Sequence, residues 1–375
     1  MNLAVFGLGY VGVVSAACLA RDGHQVLGVD PNPSKTELVT QGKTPIIEPG
    51  LDQLIQTAVS SGRLRAGNDA RGAVAHAALI LICVGTPGHD NGSLDLNYVR
   101  RVCQEIGAIL RDTAEYKVVV VRSTMLPGSM ASVVIPALEE CSGKRAGLDF
   151  GVCINPEFLR EGCAIYDYDN PPKTVIGATD ERAAAPLRAL YGHLAAPMLV
   201  TDLQTAEMVK YADNSWHALK VTFANEMGRL CKAMGVDARK LMQLFCEDKK
   251  LNISTTYLRP GFAFGGSCLP KDIRAVTYQG RSLDVNTPVL SAILASNRVQ
   301  IDHALSMIYA SGKRRIGLLG LSFKEGTDDL RESPIVTVAE RLIGKGYEVH
   351  IFDRNVKLAS LVGANRDYIL NHIPH

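Results

Sequence analysis

The first thirty residues constrain the fold more than any other stretch. Residues 3–6 are a short apolar run, and Gly7-Leu8-Gly9-Tyr10-Val11-Gly12 follows it directly. Residues 13–22 then read as a helix, and residues 24–30, HQVLGVD, as a second strand ending in an acid. Strand, GxGxxG, helix, strand and acid in that order is the dinucleotide-binding unit of a doubly wound parallel sheet. Gly7 makes the tight turn, Gly9 lets a pyrophosphate approach the backbone, and Gly12 lets helix and strand pack. The N–H groups at the start of the helix, and their partial positive charge, receive the phosphates. Asp30 is placed to accept ribose hydroxyls and would repel a 2′-phosphate, which selects NAD over NADP.

More units of the same kind follow. Residues 77–87, 116–128 and 149–158 each carry a buried-strand run that ends in small polar residues, including Thr86 and Thr124. In an open α/β sheet ligands bind at that carboxyl edge, although any one such loop also reads as ordinary turn chemistry. The 375 residues, 47% of them hydrophobic, are ample for two or more cored domains. A net charge of +2, from 40 basic and 38 acidic residues, argues against nucleic acid as a partner. The apolar runs are too short to span a bilayer, and the N-terminus reads as a first strand rather than a signal peptide. Nine scattered cysteines without a CxxC pair fit a reducing cytoplasm and offer neither a disulfide framework nor a metal site.

Residues 204–234 hold no proline and one glycine, and predict a single long helix. Val209, Ala212, Trp216, Leu219, Phe223, Met227 and Leu230 recur at steps of three and four, which predicts a core-facing stripe. Lys210, Asn214, His217, Val221 and Asn225 form a second line. It reads either as a solvated face or as one side of a ligand cleft, in which a Lys and an amide one turn apart hold a developing oxyanion. The stretch FAFGGSCLPKD places Cys268 behind two glycines and ahead of Lys271. That is either a nucleophilic thiolate or a packed turn that contains a cysteine. Near the C-terminus an apolar run at 316–321, a polar glycine-containing loop, a helix and a strand ending in Asp353 echo the first unit.

Together FGLGYVG, ICVGTP, VVRSTMLPG, NPEFLREG, EMVKYADNSWHALKVTFANE, RPGFAFGGSCLPKD and GLSFKEGTDDLRESP resemble the UDP-glucose/GDP-mannose dehydrogenase family over essentially the whole chain. The resemblance implies three domains. These are an N-terminal Rossmann-type sheet at 1–200, a central helical dimerisation domain with one long helix at 201–300, and a partial C-terminal Rossmann-like nucleotide-sugar domain at 301–375. It implies a four-electron oxidation of a nucleotide sugar at C6 by two NAD, GDP-mannose to GDP-mannuronate for an alginate-type polymer. UDP-glucose and UDP-N-acetylmannosamine are the alternatives.

By position, Cys268 resembles the nucleophile, and Lys210 and Asn214 the oxyanion pair. Glu161 resembles the acid near the reacting carbon, Thr124 its hydrogen-bonding neighbour, and Asp272 a proton-transfer aid. Tyr10, Val11, Asp30, Lys35, Thr86, Thr124, Lys271 and Arg331 resemble NAD contacts, beside Gly7, Gly9 and Gly12. Glu161, Lys210, Asn214, His217, Asn225, Tyr257, Arg259, Phe262, Gly265 and Lys324 resemble substrate contacts. The family pairs as a homodimer through the long helix. Two departures stand out: Thr256 occupies a position where the family carries an aromatic residue, and the family's pattern continues beyond His375. Rival readings are a two-electron hydroxyacid dehydrogenase, which needs no thiol, and an inactive NAD-binding remnant.

Overall fold

A computed structural model describes residues 1–87, 89, 93–254, 261–266, 269–323, 330–354 and 356, with the backbone alone at 215, 218, 221, 222, 225, 271, 272, 275, 276, 278 and 279. It divides into two units, Met1–Trp216 and His217–His375.

In the first unit the chain runs β1 (Asn2–Phe6), α1 (Tyr10–Arg21), β2 (Gln25–Val29), α2 (Pro33–Thr40), α3 (Leu51–Ser60), β3 (Leu64–Gly67), α4 (Ala70–His76) and β4 (Leu79–Ile82). It continues through α5 (Asn97–Leu110), β5 (Val118–Val121), a wide helical turn at Met130–Val134, α6 (Ile135–Ser142), β6 (Gly151–Ile154) and α7 (Ala164–Asp169). The remaining elements are β7 (Thr174–Ala178), α8 (Glu181–Tyr191), β8 (Met198–Thr201) and the first turns of α9 (Leu203–Ala233). Eight strands form one sheet in the order β3-β2-β1-β4-β5-β6-β7-β8, parallel except where β7 meets β6. The chain switches direction between β1 and β4, so a crevice opens at their carboxyl ends.

Residue alternation builds both faces of this sheet. Leu3, Val5, Leu79, Leu81, Val118 and Val120 pack with α1, α3 and α8 on one side. Ala4, Phe6, Ile80, Ile82, Val119 and Val121 pack with α4, α5 and α6 on the other. Strands covered on both faces read as unbroken apolar runs, which is why β4 is LILI and β5 VVVV. The apolar sequence runs overshoot the strands, because the chain leaves the ladder where small polar residues begin.

The second unit holds the rest of α9, then α10 (Ala238–Glu247), α11 (Leu269–Ser282), α12 (Pro288–Ala310), β9 (Arg315–Leu319), α13 (Pro334–Gly344) and β10 (Glu348–Phe352). Ile301 and Leu305 of α12 and Val338 and Leu342 of α13 form its small core, with Ile316, Leu318 and Val349 packed against them. The strands β9 and β10 are parallel neighbours.

This unit repeats the geometry of the N-terminal turn. Gly7 has φ +92° and Gly320 φ +93°. The N–H of Gly7 donates to Val29 O and that of Gly320 to Phe352 O, both at 2.8 Å. The next N–H, of Leu8 or Leu321, donates to Asp30 or Asp353 at 2.7 Å. The echo seen in the sequence is therefore a repeated hydrogen-bonding scheme.

The long helix forms as expected, but its apolar stripe is not core-facing throughout. Leu230 is buried, whereas Ala212, Trp216 and Leu219 are exposed. Periodicity identifies an apolar face but not what covers it. Among the described residues no helix is long and apolar enough to cross a membrane.

Candidate active site

The dinucleotide turn has the geometry its glycines call for. A Cβ on Gly12 would stand 1.8 Å from Gly7 O, so α1 can approach β1 only without one. A Cβ on Gly9 would meet no atom within 4 Å, leaving its side open to a ligand at the start of α1. Asp30 is 5% exposed and accepts the N–H groups of Leu8 (2.7 Å) and Asn32 (2.9 Å). Lys35 reaches the same carboxylate at 3.4 Å. Val11 is half-buried against the core beside this turn. Across the switch point the Thr86 hydroxyl donates to Thr124 O (2.7 Å) and that of Ser123 to Val84 O (2.6 Å), binding the loops after β4 and β5 together. Open space at Gly9, a helix N-terminus without a side-chain cap and a carboxylate at the end of β2 fit the requirements of an NAD molecule.

The opening turns of α9 are anchored beside the loops that follow β5 and β6. Glu207 accepts N–H groups of Gly128 and Met130, both at 2.7 Å. One turn later Lys210 Nζ lies 3.0 Å from Glu157 Oε1, with each side chain 12% exposed. Lys173 holds Asp213 at 2.7 Å, and Lys173 and Lys210 both lie over the Phe158 ring. Asn214, a turn beyond Lys210, is exposed. A Lys so placed offers further N–H donors to an oxygen that gains negative charge, while Glu157 sets the direction of its side chain.

The loop carrying Glu157 and Glu161 is fixed from below. Arg122, buried at the end of β5, donates to Asn155 and to Tyr191 Oη (2.6 Å). Asn155 in turn donates to Val175 O at 2.8 Å. Burial works against the Arg122 charge, yet its pKa lies above the ordinary value, with Tyr191 and the Glu157 carboxylate among the groups that favour the cation. Glu161 is exposed, in a turn whose flanking residues are both tied: Arg160 to Asp167, and Gly162 to Glu48.

In the second unit a Cβ on Gly265 would stand 2.3 Å from Glu332 O, and Gly266, at φ +87°, donates its N–H to Arg331 O at 3.1 Å. Asn297 of α12 both donates to and accepts from the Phe264 backbone, each at 2.9 Å. This is why the stretch needs two glycines: its backbone is pressed onto residues 331–334. Phe262 and His217 are exposed and Arg331 is half-buried. Cys268, Tyr257, Arg259 and Lys324 lie outside the described residues, as do the side chains of Asn225, Lys271 and Asp272.

The cysteines that are described include poor nucleophiles. Burial pushes the Cys83 thiol up to about 11, and those of Cys18, Cys103 and Cys153 up to about 12. They are thiols, not thiolates, at neutral pH. Sequence reasoning missed Glu157 and Glu48. The signal for Glu157 was its spacing four residues before Glu161 in NPEFLREG; Glu48, in PIIEPG, gave none.

With this geometry in view, comparison with known proteins is specific. Residues 1–195 match the NAD binding domain of the UDP-glucose/GDP-mannose dehydrogenase family, 204–299 its central domain and 317–370 its UDP binding domain. A GDP-mannose 6-dehydrogenase from Pseudomonas putida is 56% identical over 375 residues, covering 100% of this chain and 86% of the relative. A UDP-glucose 6-dehydrogenase from Bacillus subtilis is 36% identical over 356 residues, 94% of this chain and 76% of that protein. The crystal structure of a ternary complex of GDP-mannose dehydrogenase from Pseudomonas aeruginosa superposes with a TM-score of 0.98 at 55% identity, covering 100% of this chain and 86% of that one. A glycine turn built for NAD, a Lys–Glu pair at the mouth of the sheet and three consecutive domain matches lead to one conclusion: the chain belongs to the UDP-glucose/GDP-mannose dehydrogenase family, as an NAD-dependent oxidoreductase.

Proposed function

We propose that the protein oxidises the C6 alcohol of GDP-mannose to a carboxylate. The observation that carries this substrate is the much greater full-length similarity to GDP-mannose 6-dehydrogenases than to the UDP-glucose enzyme. NAD, when bound, accepts one hydride in each of two oxidations. Between them Cys268 adds as thiolate to the C6 aldehyde, giving a thiohemiacetal that keeps the aldehyde from escaping. The second oxidation leaves a thioester at Cys268. Water then cleaves the carbon–sulfur bond, returning the thiolate and releasing the carboxylate and its protons.

Lys210, aimed by Glu157, and Asn214 donate hydrogen bonds to the C6 oxygen as it gains charge. Glu161 and Thr124 hold the water and hydroxyl protons at C6, and Asp272 assists proton transfer at the sulfur. Tyr10, Val11, Asp30, Lys35, Thr86, Lys271 and Arg331 hold NAD; His217, Asn225, Tyr257, Arg259, Phe262, Gly265 and Lys324 hold the nucleotide sugar. Exposed Met208, Trp216 and Leu219, at helical spacing along α9, support a homodimer built on that helix. The eight described cysteines are free, in keeping with a reducing cytoplasm. We read the chain as three parts, 1–200 for NAD, 201–300 for dimerisation and 301–375 for the nucleotide.

The test offers GDP-mannose, UDP-glucose and UDP-N-acetylmannosamine in turn with NAD, counting NADH per sugar consumed. About two NADH with GDP-mannose, and a Cys268→Ser variant that does not turn over, is the expected result. About one NADH, or a variant with full turnover, overturns the covalent route. A preference for a UDP-sugar overturns the substrate.

A further inference from the structure

Glu48 is a carboxylate with no role so far beyond its ties to the turn after β6. It lies between α2 and α3, is 6% exposed, and accepts three hydrogen bonds from two places. Oε1 accepts the N–H of Ala164 at 2.8 Å, and Oε2 that of Gly162 at 2.8 Å. The third donor is the Tyr10 hydroxyl, from the first residue of α1 and the middle of the dinucleotide turn.

Glu48 therefore holds both sides of a gap. On one side is the helix end that faces the phosphates. On the other is the turn Arg160–Gly162, whose middle residue, Glu161, is close enough for its charge to act on the Tyr10 hydroxyl. Gly162 takes φ +84°, so this turn is sharp and its direction depends on what grips its N–H groups. Asp167 grips the other flank through the N–H (2.9 Å) and guanidinium (2.7 Å) of Arg160.

We propose that Glu48 is a positioning residue that couples the NAD turn to the Glu161 turn through Tyr10, so that occupancy of one fixes the geometry of the other. Its hydrogen bonds run to Tyr10 and to the backbone of Gly162 and Ala164, away from the reacting groups proposed above. Burial pushes its carboxyl up, but the hydrogen bonds from Tyr10 and the backbone groups outweigh this and hold it below the usual range, so it remains an acceptor. Burial, then Glu48, pushes the Tyr10 phenol up, so it remains a donor. The link is therefore intact throughout the neutral range.

The inference rests on the proposed oxidation only where turnover is the readout; NAD affinity is measured without it. The experiment is a double-mutant cycle of Tyr10→Phe and Glu48→Gln, reading the NAD dissociation constant by calorimetry, then kcat, sugar KM and the thermal midpoint. Each single variant is expected to weaken NAD binding and lower kcat by about tenfold, the worth of one charge-assisted hydrogen bond, with the sugar KM little changed. The double variant is expected to be no worse than either single.

Effects that multiply would overturn the coupling. A lower thermal midpoint with unchanged NAD affinity and kcat would reduce Glu48 to a structural cap and overturn it too. Tyr10→Phe removes one hydroxyl and preserves the fold, but its loss alone includes any direct contact of Tyr10 with NAD, so if Glu48→Gln is unstable Glu48→Asp takes its place in the cycle. A wild-type protein that oxidises no nucleotide sugar defeats the proposed activity while leaving the NAD cycle to judge the coupling.

Discussion

Lys210→Met severs the ion pair with Glu157 and tests what that pair is for. At 3.0 Å, two unit charges attract by about 5 to 6 kcal/mol in an effective dielectric of about 20. Both side chains are 12% exposed, so each has lost most of its hydration, and that loss cancels most of the attraction. A net coupling of about 1–3 kcal/mol remains. Lys210→Met leaves Glu157 with the Leu159 N–H (2.7 Å) and only the more distant charge of Arg122. It should destabilise by about 2 kcal/mol, Glu157→Gln by a similar amount, and the double variant by about 2 rather than 4.

Turnover should behave differently. Each single variant should lose about 10²–10³-fold in kcat, the usual cost of a lost oxyanion donor, and the double variant should recover none of it. Urea unfolding of the four proteins gives the coupling, and NADH formation from GDP-mannose gives the rates. A coupling under about 0.5 kcal/mol would show the contact to be idle. A double variant with restored turnover would show that Lys210 merely neutralises Glu157, and the oxyanion role would be refuted.

Gly12→Ala places a Cβ 1.8 Å from Gly7 O, a backbone atom that cannot swing away. It should cost about 2–3 kcal/mol by calorimetry and abolish measurable NAD binding, and wild-type affinity would contradict the packing argument. Asp30→Ala removes the acceptor for Leu8 and Asn32 N–H groups, so titration should show NAD affinity down by about 10- to 100-fold. Hydrogen bonds from Arg160 outweigh burial and hold the Asp167 carboxyl below its usual range. Its contribution to stability is therefore present above the unfolded value of about 4 and is lost as pH falls further, through the folded value. Asp167→Asn should flatten the acid limb of a thermal-midpoint profile, and an unchanged slope would rule the contribution out. Leu219→Glu on exposed α9 should give a folded monomer by light scattering, and an unchanged mass would place the subunit contact elsewhere.

What the sequence disclosed was local. The turn Gly7–Gly12 and Asp30 are close in the chain, and their spacing alone determines their geometry. The long helix was legible from its freedom from proline, and β4 and β5 from their unbroken apolar runs. The stripe through Ala212, Trp216 and Leu219 was misjudged because 3.6-residue periodicity shows that a face is apolar without saying which surface meets it. Glu157 was passed over because its partner, Lys210, is far along the chain, and no propensity rule links them. Glu48 lies 116 residues from the N–H of Ala164 that it caps, beyond any local capping pattern.

Long-range capping recurs and connects the fold to the chemistry. Glu48, Glu207 and Glu226 are 6%, 2% and 0% exposed, and each receives N–H groups at the start of a helical segment remote in sequence. Glu48 caps α7, Glu207 the turn at Met130–Val134, and Glu226 the start of α12. A carboxylate buried without partners would cost several kcal/mol, and a helix N-terminus supplies both the missing donors and a partial positive charge. Each glutamate thus becomes a joint that either engages fully or is costly, which makes the distance it spans sharply defined. On the proposed reaction two of the three joints lie beside its residues: Glu48 grips the turn of Glu161, and Glu207 anchors α9 one turn before Lys210. On that proposal precision at the site depends on these buried acids, and their replacement by Gln, which keeps the shape but loses one acceptor, should loosen the site before it loosens the fold.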